Sequence, residues 1–214
     1  MFQGHFIVFE GIDGSGTTTQ CLLLAAHLDA AGIPVTLTRE PGGTPAAEQI
    51  RNLVLDPTLG EISHMAELFL YAASRSQHVE ELIIPSLERG DVVICDRYIA
   101  SSLAYQGFGR GLDLGVVSQV NQLAVGGCCP DLTLYLDLPT EVARTRRDQR
   151  GGEVDRLEQL GEGLQERVAR GYREIAAGEE KALVFDARLT KERLALSIRD
   201  ALRERWSWFP KERE

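Results

Sequence analysis

The sequence predicts a three-layer α/β domain in which helices flank a five-stranded parallel sheet on both faces. Short apolar runs alternate with longer amphipathic segments, which is typical of strands that alternate with helices. The segments between the runs are long enough to cross the sheet as helices, and such crossovers join parallel strands. A chain of 214 residues can bury one core, so we expect a single domain over residues 1–214.

The predicted strands and helices follow one another in a regular order. The apolar runs that we expect to be strands lie at residues 5–10, 34–39, 91–96, 131–138 and 182–186. The expected helices lie at residues 16–31, 44–55, 63–89, 114–125, 140–149, 156–177 and 190–206. The closing WSWFPKERE is expected to end the last helix and continue as a short tail.

The composition is that of an ordinary globular protein, with 43% hydrophobic and 26% charged residues. A net charge of -9 repels a polyanion over most of the surface, so we expect no nucleic-acid partner. No run approaches the roughly 20 apolar residues that span a bilayer, and the N-terminus lacks a signal-peptide pattern. The four cysteines fit neither zinc-ligand spacing nor a secreted disulfide framework. We therefore expect a cytoplasmic protein with no membrane partner.

A glycine-rich segment follows the first predicted strand and leads into a helix. Its residues are Gly11, Ile12, Asp13, Gly14, Ser15, Gly16, Thr17 and Thr18. The segment nearly matches the Walker A motif, in which backbone N–H groups and a helix N-terminus bind phosphate. We expect the three glycines to take positive φ angles and turn the N–H groups inward. A simple turn would also use glycines, but the position between strand and helix favours ATP binding by all these residues. Thr18 stands where the motif places the hydroxyl ligand of Mg²⁺.

The motif lacks its lysine, because Thr17 stands at that position. Lysine carries a positive charge to the β and γ phosphates, whereas threonine offers only a neutral hydrogen bond. Loss of this charge is expected to slow phosphoryl transfer severely unless another group replaces it. Three explanations stay open: substitution of the lysine, replacement by a nearby arginine, or nucleotide binding without efficient turnover.

The third predicted strand ends in Asp96 and Arg97. The carboxyl ends of parallel strands face the ligand crevice, so both side chains should point toward whatever the glycine-rich loop holds. Asp96 is a candidate to hold a Mg²⁺-bound water, and Arg97 is a candidate to bridge two phosphate groups. An ordinary ion pair at a strand end is the alternative.

Six blocks of sequence occur along the chain in a specific order. They are FEGIDGSG at residues 9–16, TREPGGT at 38–44, YAASRSQH at 71–78, DRY at 96–98 with SSLAYQG at 101–107, PDLTLYLD at 130–137 and DRLE at 155–158. Together they resemble the bacterial thymidylate kinases, a family of P-loop nucleoside-monophosphate kinases. The resemblance implies a P-loop kinase fold and Mg²⁺-dependent transfer of the ATP γ-phosphate to dTMP, giving dTDP for dTTP biosynthesis. It also implies a homodimer formed through the long helices that include residues 63–89.

The resemblance further implies which residues bind the base and sugar of dTMP. Tyr71 is implied to lie under the thymine ring, where an aromatic side chain stacks well. Arg75 is implied to donate to a thymine carbonyl, with Ser102 and Gln106 completing the base edge. Tyr105 is implied to pack against the sugar. Helix packing or plain solvent exposure would explain any one of these residues taken alone.

The acceptor phosphate and its surroundings are assigned in the same way. Arg97 and Arg51 are implied to hold the phosphate, with Glu10 and Glu40 near the sugar or the magnesium shell.

An arginine-rich segment at about residues 144–156 resembles the lid of the bacterial enzymes. Its arginines are Arg144, Arg146, Arg147, Arg150 and Arg156. A guanidinium delivered over the ATP phosphates would act as an arginine finger, and Arg146 and Arg150 are the catalytic candidates. Our hypothesis is that a lid arginine partly replaces the charge missing at Thr17. A solvated basic helix face is the alternative for each arginine.

Two other functions remain compatible with the sequence. One is a nucleotide-binding protein of the same fold with weak or no turnover, which the missing lysine favours. The other is a kinase for a different nucleotide or nucleoside.

Overall fold

The computed structural model describes residues 4–151, 156 and 162–210, with the side chains of Arg150 and Glu162 excepted. The strands are β1 (His5–Glu10), β2 (Val35–Arg39), β3 (Val92–Asp96), β4 (Leu132–Asp137) and β5 (Ala182–Asp186). The helices are α1 (Thr17–Ala30), α2 (Pro45–Leu55), α3 (His64–His78), α4 (Ile84–Glu88), α5 (Ile99–Ser102), α6 (Leu114–Val125), α7 (Thr140–Arg150), α8 (Glu162–Gly178) and α9 (Lys191–Arg205).

The strands form one parallel sheet in the order β2-β3-β1-β4-β5. In the central register, Ile7 of β1 lies opposite Ile94 of β3 and Leu132 of β4. The chain leaves β1 toward one edge of the sheet and later crosses to the other edge. This reversal opens a crevice at the carboxyl end of β1, the usual place for a ligand in an open α/β sheet.

The two faces of the sheet bury different sets of side chains. Alternate residues of β1 point to opposite faces, so Ile7 and Phe9 pack with α1, α8 and α9, whereas Phe6 and Val8 pack with α4 and α6. The three-layer prediction is therefore confirmed. The predicted strand bounds hold to within a residue at each end.

The helix expected at residues 63–89 follows a continuous path with a change of winding. α3 passes through a π-helical segment at Val79–Ile83 before α4 begins. A further departure is α5, which runs into a π-helical segment at Leu103–Gly109 that the sequence analysis did not predict. π-helical turns are frequent at functional sites, and this one carries Tyr105 and Gln106.

The helix predicted at 156–177 is described from Glu162, and residues 157–161 lie outside the described part of the chain. Within the described residues, none of the helices has the length and apolarity needed to cross a bilayer. Cys21, Cys95 and Cys128 are buried and Cys129 is exposed, and all are free thiols.

Candidate active site

The glycine-rich loop connects β1 to the N-terminus of α1. Gly14 and Gly16 have φ angles of 92° and 95°, as predicted for residues that turn backbone N–H groups inward. Gly11 is not in the positive-φ region, so that part of the prediction is wrong. Its need for glycine is steric, since a Cβ there would lie 2.6 Å from Ser15 Oγ and 2.8 Å from the Leu136 carbonyl oxygen.

Thr17 and Thr18 begin α1 in different environments. Thr17 is buried, with 6% of its surface exposed, and it brings no charge to the loop. The Thr18 hydroxyl donates a hydrogen bond to Oδ2 of Asp96 at the end of β3. The other carboxylate oxygen of Asp96 is buried and has no hydrogen-bond partner among the described residues.

This pair of residues fits a magnesium ion. Mg²⁺ prefers oxygen ligands, keeps several waters and is commonly bound by one or two protein oxygens together with substrate phosphates. A hydroxyl and an unpaired carboxylate oxygen beside a phosphate loop provide such a set. No cluster of three acidic, histidine or cysteine ligands occurs in the described residues, and a site shared with phosphates does not need one.

Arg97 follows β3 in a conformation that is rare for residues other than glycine, with φ 74°. Its guanidinium donates to the Gly11 carbonyl at 2.8 Å and to the Tyr172 hydroxyl at 3.0 Å, and it pairs with Asp13 Oδ1 at 2.6 Å. A backbone held in a sparsely populated region by several side-chain contacts is common at functional sites. The contacts aim the Arg97 side chain at the phosphate loop.

Asp13 was predicted to bind ATP, but its carboxylate faces the other side of the cleft. Oδ1 pairs with Arg97, and Oδ2 accepts a hydrogen bond from the Tyr105 hydroxyl at 2.9 Å. Only the backbone of Asp13 belongs to the phosphate loop. Its side chain joins that loop to the residues predicted to hold dTMP.

Glu10 lies beneath the cleft and is fully buried. It accepts hydrogen bonds from the Tyr98 backbone N–H at 2.8 Å, the Ser101 hydroxyl at 2.7 Å and the Tyr172 hydroxyl at 3.0 Å. Burial raises the pKa of Glu10 despite these hydrogen bonds and the nearby Arg97. Glu10 therefore supports the turn after β3, and it is not among the residues lining the cleft.

Arg75 is almost completely buried and is held from several sides. It donates to Glu40 Oε2 at 2.7 Å, to Ser102 Oγ at 3.0 Å and to the Tyr98 carbonyl at 2.8 Å. A further hydrogen bond goes to Asn121 Oδ1. Guanidinium has five N–H groups, so one N–H of Nη2 has no acceptor among the described residues. Because Arg75 lines the cleft, that N–H is the one available to a ligand.

Glu40 is a structural anchor of this region. Oε1 accepts from His78 Nδ1 at 3.0 Å while Oε2 binds Arg75, and His78 Nε2 lies 2.7 Å from the Thr38 hydroxyl. All of these groups are buried, and buried charges are stable where they are paired and hydrogen-bonded.

Gln106 lines the cleft, Arg156 does not, and both bind Glu67. The Gln106 amide donates to Glu67 Oε1 at 3.0 Å, so this N–H group is already engaged. Arg156 donates to the Val54 carbonyl at 2.8 Å and pairs with Glu67, which also binds Arg110 at 2.8 Å. Arg156 therefore anchors the chain to α2 and α3 and does not reach the phosphate loop. Burial raises the pKa of Glu67, but hydrogen bonds from its partners outweigh burial and leave the pKa below its ordinary value.

The lid predicted at residues 144–156 is described through Gly151 and at Arg156. Arg146 of α7 donates to the Ala187 carbonyl at 2.9 Å and lies against the Gly14 carbonyl. Arg147 of the same helix donates to the Asp13 carbonyl at 2.9 Å. The side chain of Arg150 lies outside the described residues.

These residues meet in one continuous cleft of about 700 Å³. The residues that were predicted to form the site and that line this cleft are Asp13, Gly14, Ser15, Gly16, Thr17, Thr18, Glu40, Arg51, Tyr71, Arg75, Asp96, Arg97, Ser102, Tyr105, Gln106 and Arg146. Arg51 also donates to the Pro41 carbonyl at 2.7 Å. Gly11 and Ile12, the first two residues of the loop, do not line the cleft.

Sequence reasoning missed Tyr172 and Ser101. The Tyr172 hydroxyl contacts Arg97, Glu10 and the Ser101 hydroxyl, the last at 2.9 Å. Burial raises the pKa of Tyr172 well above its ordinary value, so its hydroxyl stays protonated and can donate. The only signal for Ser101 was its place in the SSLAYQG block, and no local pattern marks a tyrosine in the middle of an amphipathic helix.

A glycine-rich loop at the carboxyl end of β1, with Asp96 and Arg97 beside it in a cleft that continues to Tyr71 and Arg75, is the arrangement of a P-loop nucleotide kinase. The family model described as "Thymidylate kinase" matches residues 9–198. The chain belongs to the thymidylate kinase family, whose members are phosphotransferases.

Several relatives match over almost their whole length. Thymidylate kinase from Pelotomaculum thermopropionicum is 46% identical over 203 residues, covering 94% of each chain. Thymidylate kinase from Deinococcus radiodurans is 47% identical over 206 residues, covering 96% of this chain and 99% of that one. The crystal structure of thymidylate kinase from Ehrlichia chaffeensis superposes with a TM-score of 0.76 at 33% identity, covering 94% of this chain and 98% of that chain.

Proposed function

We propose that the cleft binds ATP and dTMP with their phosphates facing each other and transfers the γ-phosphoryl group between them in the presence of Mg²⁺. The observation that carries the proposal is the link through Asp13. Its backbone lies in the phosphate loop, and its carboxylate binds Arg97 and Tyr105 of the adjoining pocket. The two binding regions are thereby held in contact.

The donor nucleotide is assigned to the loop and α1. Backbone N–H groups between Gly14 and Thr18, together with the N-terminus of α1, bind the phosphates of ATP. Mg²⁺, when bound, neutralises charge on the β and γ phosphates. Thr18 and Asp96 are the residues that would hold it, directly or through water.

The acceptor nucleotide is assigned to the pocket formed by α3 and the segment after β3. Tyr71 stacks on thymine, the remaining N–H of Arg75 donates to the base, and Tyr105 packs against the sugar. Ser102 and Gln106 lie at the base edge. Arg97 and Arg51 hold the acceptor phosphate.

The chemical step is a single in-line displacement. A phosphate oxygen of dTMP forms a bond to the γ-phosphorus as the bond to the β–γ bridging oxygen breaks, which leaves ADP and dTDP. The protein contributes positioning and positive charge, and no covalent intermediate is required. The alternative of binding without turnover gains no support from the relatives, each of which is named a thymidylate kinase.

We also propose that the chain works as a homodimer. α3 and α6 pack together and expose large apolar side chains. Met65 and Phe69 of α3 are 37% and 55% exposed, and Val116 and Leu123 of α6 are 38% and 84% exposed. Such a patch is suited to an isologous contact in which the same helices of two copies pair. A cytoplasmic location is proposed because the cysteines are free thiols, which reducing compartments maintain.

The direct test is steady-state phosphorylation with ATP and Mg²⁺ and each of dTMP, dUMP, dCMP, AMP and thymidine in turn. We expect dTMP to give the highest kcat/KM and dTDP to be the product. Efficient use of another acceptor with no turnover of dTMP would contradict the proposal. Sedimentation of the wild-type chain beside Leu123→Glu tests the dimer, since a charge at the α6 surface should favour the monomer.

A further inference from the structure

The absence of a lysine at Thr17 leaves the phosphate loop short of one positive charge. The β and γ phosphates of ATP gain negative charge density during transfer, and P-loop kinases place a cation there to stabilise it. A neutral, buried threonine cannot do this. Some other cation that lines the cleft has to lie near the loop if the chain is to be an efficient kinase.

Three cations of the cleft belong to the acceptor side. Arg39 is paired with both carboxylate oxygens of Glu48 at 3.0 Å. Arg75 is enclosed by Glu40 and its other partners, and Arg51 donates to the Pro41 carbonyl. Within the described residues, the hydrogen bonds of Arg39 and Arg75 go to groups outside the phosphate loop.

Three further cations that line the cleft are held by other groups or exposed to solvent. Arg97 is paired with Asp13 and donates to the Gly11 carbonyl and the Tyr172 hydroxyl. Arg146 donates to the Ala187 carbonyl at 2.9 Å and to the Gly14 carbonyl of the phosphate loop at 3.4 Å, so its guanidinium is held between two segments. Lys191 is 68% exposed at the start of α9, with Nζ 3.8 Å from Glu192.

Arg147 also contacts the phosphate loop, but within the described residues it makes fewer hydrogen bonds than Arg97 or Arg146. It is half-buried, lines the cleft and donates one hydrogen bond to the Asp13 carbonyl at 2.9 Å. Within residues 4–151, 156 and 162–210, no carboxylate lies within ion-pairing distance of it. The other N–H groups of its guanidinium remain for a ligand.

The position of Arg147 matches the junction of the two nucleotides. Asp13 accepts from Arg147 through its backbone carbonyl and from Arg97 through its carboxylate. Two guanidinium groups, one from α7 and one from the end of β3, are thus attached to the same residue of the phosphate loop. The γ-phosphate that passes between donor and acceptor has to lie beside this residue.

We propose that Arg147 supplies the positive charge that lysine provides in the standard motif, by binding the β and γ phosphates of ATP. A planar guanidinium can bind two phosphate oxygens at once. Arg147 can therefore replace the lysine of the motif, although it approaches the phosphates from α7 and not from the start of α1. The inference rests on the proposed function, because it concerns the donor phosphates of the same reaction. It revises the hypothesis drawn from the sequence, which assigned the replacement to Arg146 or Arg150.

A double-mutant cycle tests whether the charge of Arg147 and the charge of a lysine introduced at Thr17 can replace each other. The variants are Arg147→Ala, Thr17→Lys and the combination of both, each assayed for kcat with saturating ATP and dTMP. In the wild-type background, Arg147→Ala should lower kcat about 100-fold or more. In the Thr17→Lys background, the same change should cost less than about tenfold, because the introduced lysine supplies the charge. An equal loss in both backgrounds, or no loss in the first, would overturn the proposal.

Binding measurements keep the test independent of whether a lysine fits at the buried Thr17 position. Arg147→Ala should weaken ATP at least about tenfold while AMP, which lacks the β and γ phosphates, is unaffected. Equal weakening of both nucleotides would overturn the proposal. Arg170→Ala removes an arginine that is 64% exposed outside the cleft, and it should leave kcat and ATP affinity unchanged. If the wild-type chain fails to phosphorylate dTMP, the proposed function fails, but the ATP and AMP comparison still decides the role of Arg147.

Discussion

The Asp13 carboxylate lies 2.6 Å from Nη2 of Arg97, in an ion pair that joins the phosphate loop to the end of β3. The pair is partly buried, and the same guanidinium also donates to the Gly11 carbonyl. Arg97 is therefore oriented before any ligand binds. Preorganised charge is effective in phosphoryl transfer because the protein does not have to rearrange during the reaction.

Replacing Arg97 by lysine should lower kcat by about 100-fold while the fold is kept. An ammonium group keeps the charge but cannot hold Gly11, Tyr172 and Asp13 together in the planar arrangement of the guanidinium. Steady-state kinetics with dTMP measures the effect. Arg173→Lys, at an exposed ion pair with Asp137, is the matched control and should retain wild-type kcat. If Arg97→Lys keeps the wild-type kcat, the planar arrangement of the Arg97 guanidinium is not needed for turnover.

Replacing Thr18 by valine should raise the Mg²⁺ concentration needed for half-maximal activity by about tenfold. Valine has a similar shape but lacks the hydroxyl that binds Asp96 and is proposed to ligate the ion. Titration of activity with free Mg²⁺ at fixed ATP measures the shift. Thr18→Ser keeps the hydroxyl and should behave like the wild type. If Thr18→Val needs the same Mg²⁺ concentration as the wild type, Thr18 is not a ligand of the ion.

Replacing Tyr71 by alanine should raise KM for dTMP by about 10- to 100-fold, since stacking contributes about 1–3 kcal/mol per base. Tyr71→Phe keeps the ring and should change KM little. KM for ATP should stay constant in both variants, because the residue belongs to the acceptor pocket. A similar rise in both KM values would indicate general damage to the fold.

Replacing Glu67 by alanine should lower the free energy of unfolding by about 3–5 kcal/mol. The fully buried carboxylate pairs with Arg110 and Arg156, and its loss leaves two largely buried cations without a counter-charge. Urea denaturation measures the change. Glu174→Ala is the control, because its pair with Arg170 is exposed and 3.9 Å long, so it should cost less than about 1 kcal/mol. If the two changes lower the free energy of unfolding equally, the ion pairs of Glu67 with Arg110 and Arg156 do not stabilise the fold as expected.

The raised pKa of Glu10 predicts a pH-dependent difference between the wild type and Glu10→Gln. Because the folded pKa lies above the ordinary value of 4.5, protonation of Glu10 favours the folded state. That stabilisation is fully present below pH 4.5 and is lost as the pH rises through the folded pKa. Glutamine carries no charge at any pH, so it avoids this loss.

The free energies of unfolding of the wild type and Glu10→Gln, measured from about pH 4 to about pH 8, check the sign of this difference. The range starts near the ordinary pKa of Glu10 and extends upward because the folded pKa is raised. The variant should gain stability relative to the wild type as the pH rises. Glu174→Gln, at an exposed position, should show a constant difference. A Glu10→Gln curve that runs parallel to the wild type, or falls below it with rising pH, would contradict the assignment.

Most of the sheet could be predicted from sequence because each strand is a compact apolar run bounded by turn residues. The runs from His5 and Ala182 match β1 and β5 in both bounds. The helical segment after β3 was harder, because SSLAYQGFG has neither strand alternation nor a clear helical stripe. The segment packs against α8, which lies about 60 residues away in the chain and cannot be read from the local sequence.

The candidate site was predictable where the motif residues are neighbours in sequence and less so where they meet only in the fold. The phosphate loop, Asp96 and Arg97 follow directly from strand ends and glycine spacing. Tyr172 and the partners of Glu67 come from distant helices, so no local pattern marks them. Gln106 and Arg156 were placed by family pattern alone, and the buried carboxylate that binds both is visible only in three dimensions.

The central claim is that donor and acceptor phosphates meet beside Asp13 and Arg97. The most direct measurement is a crystal structure with a ligand in which adenosine and thymidine are joined through a chain of five phosphates. We expect the phosphate chain to run from the backbone of residues 14–18 to the Arg97 guanidinium, with thymine on Tyr71. A thymidine end bound elsewhere, or a phosphate chain that bypasses Arg97, would contradict the account.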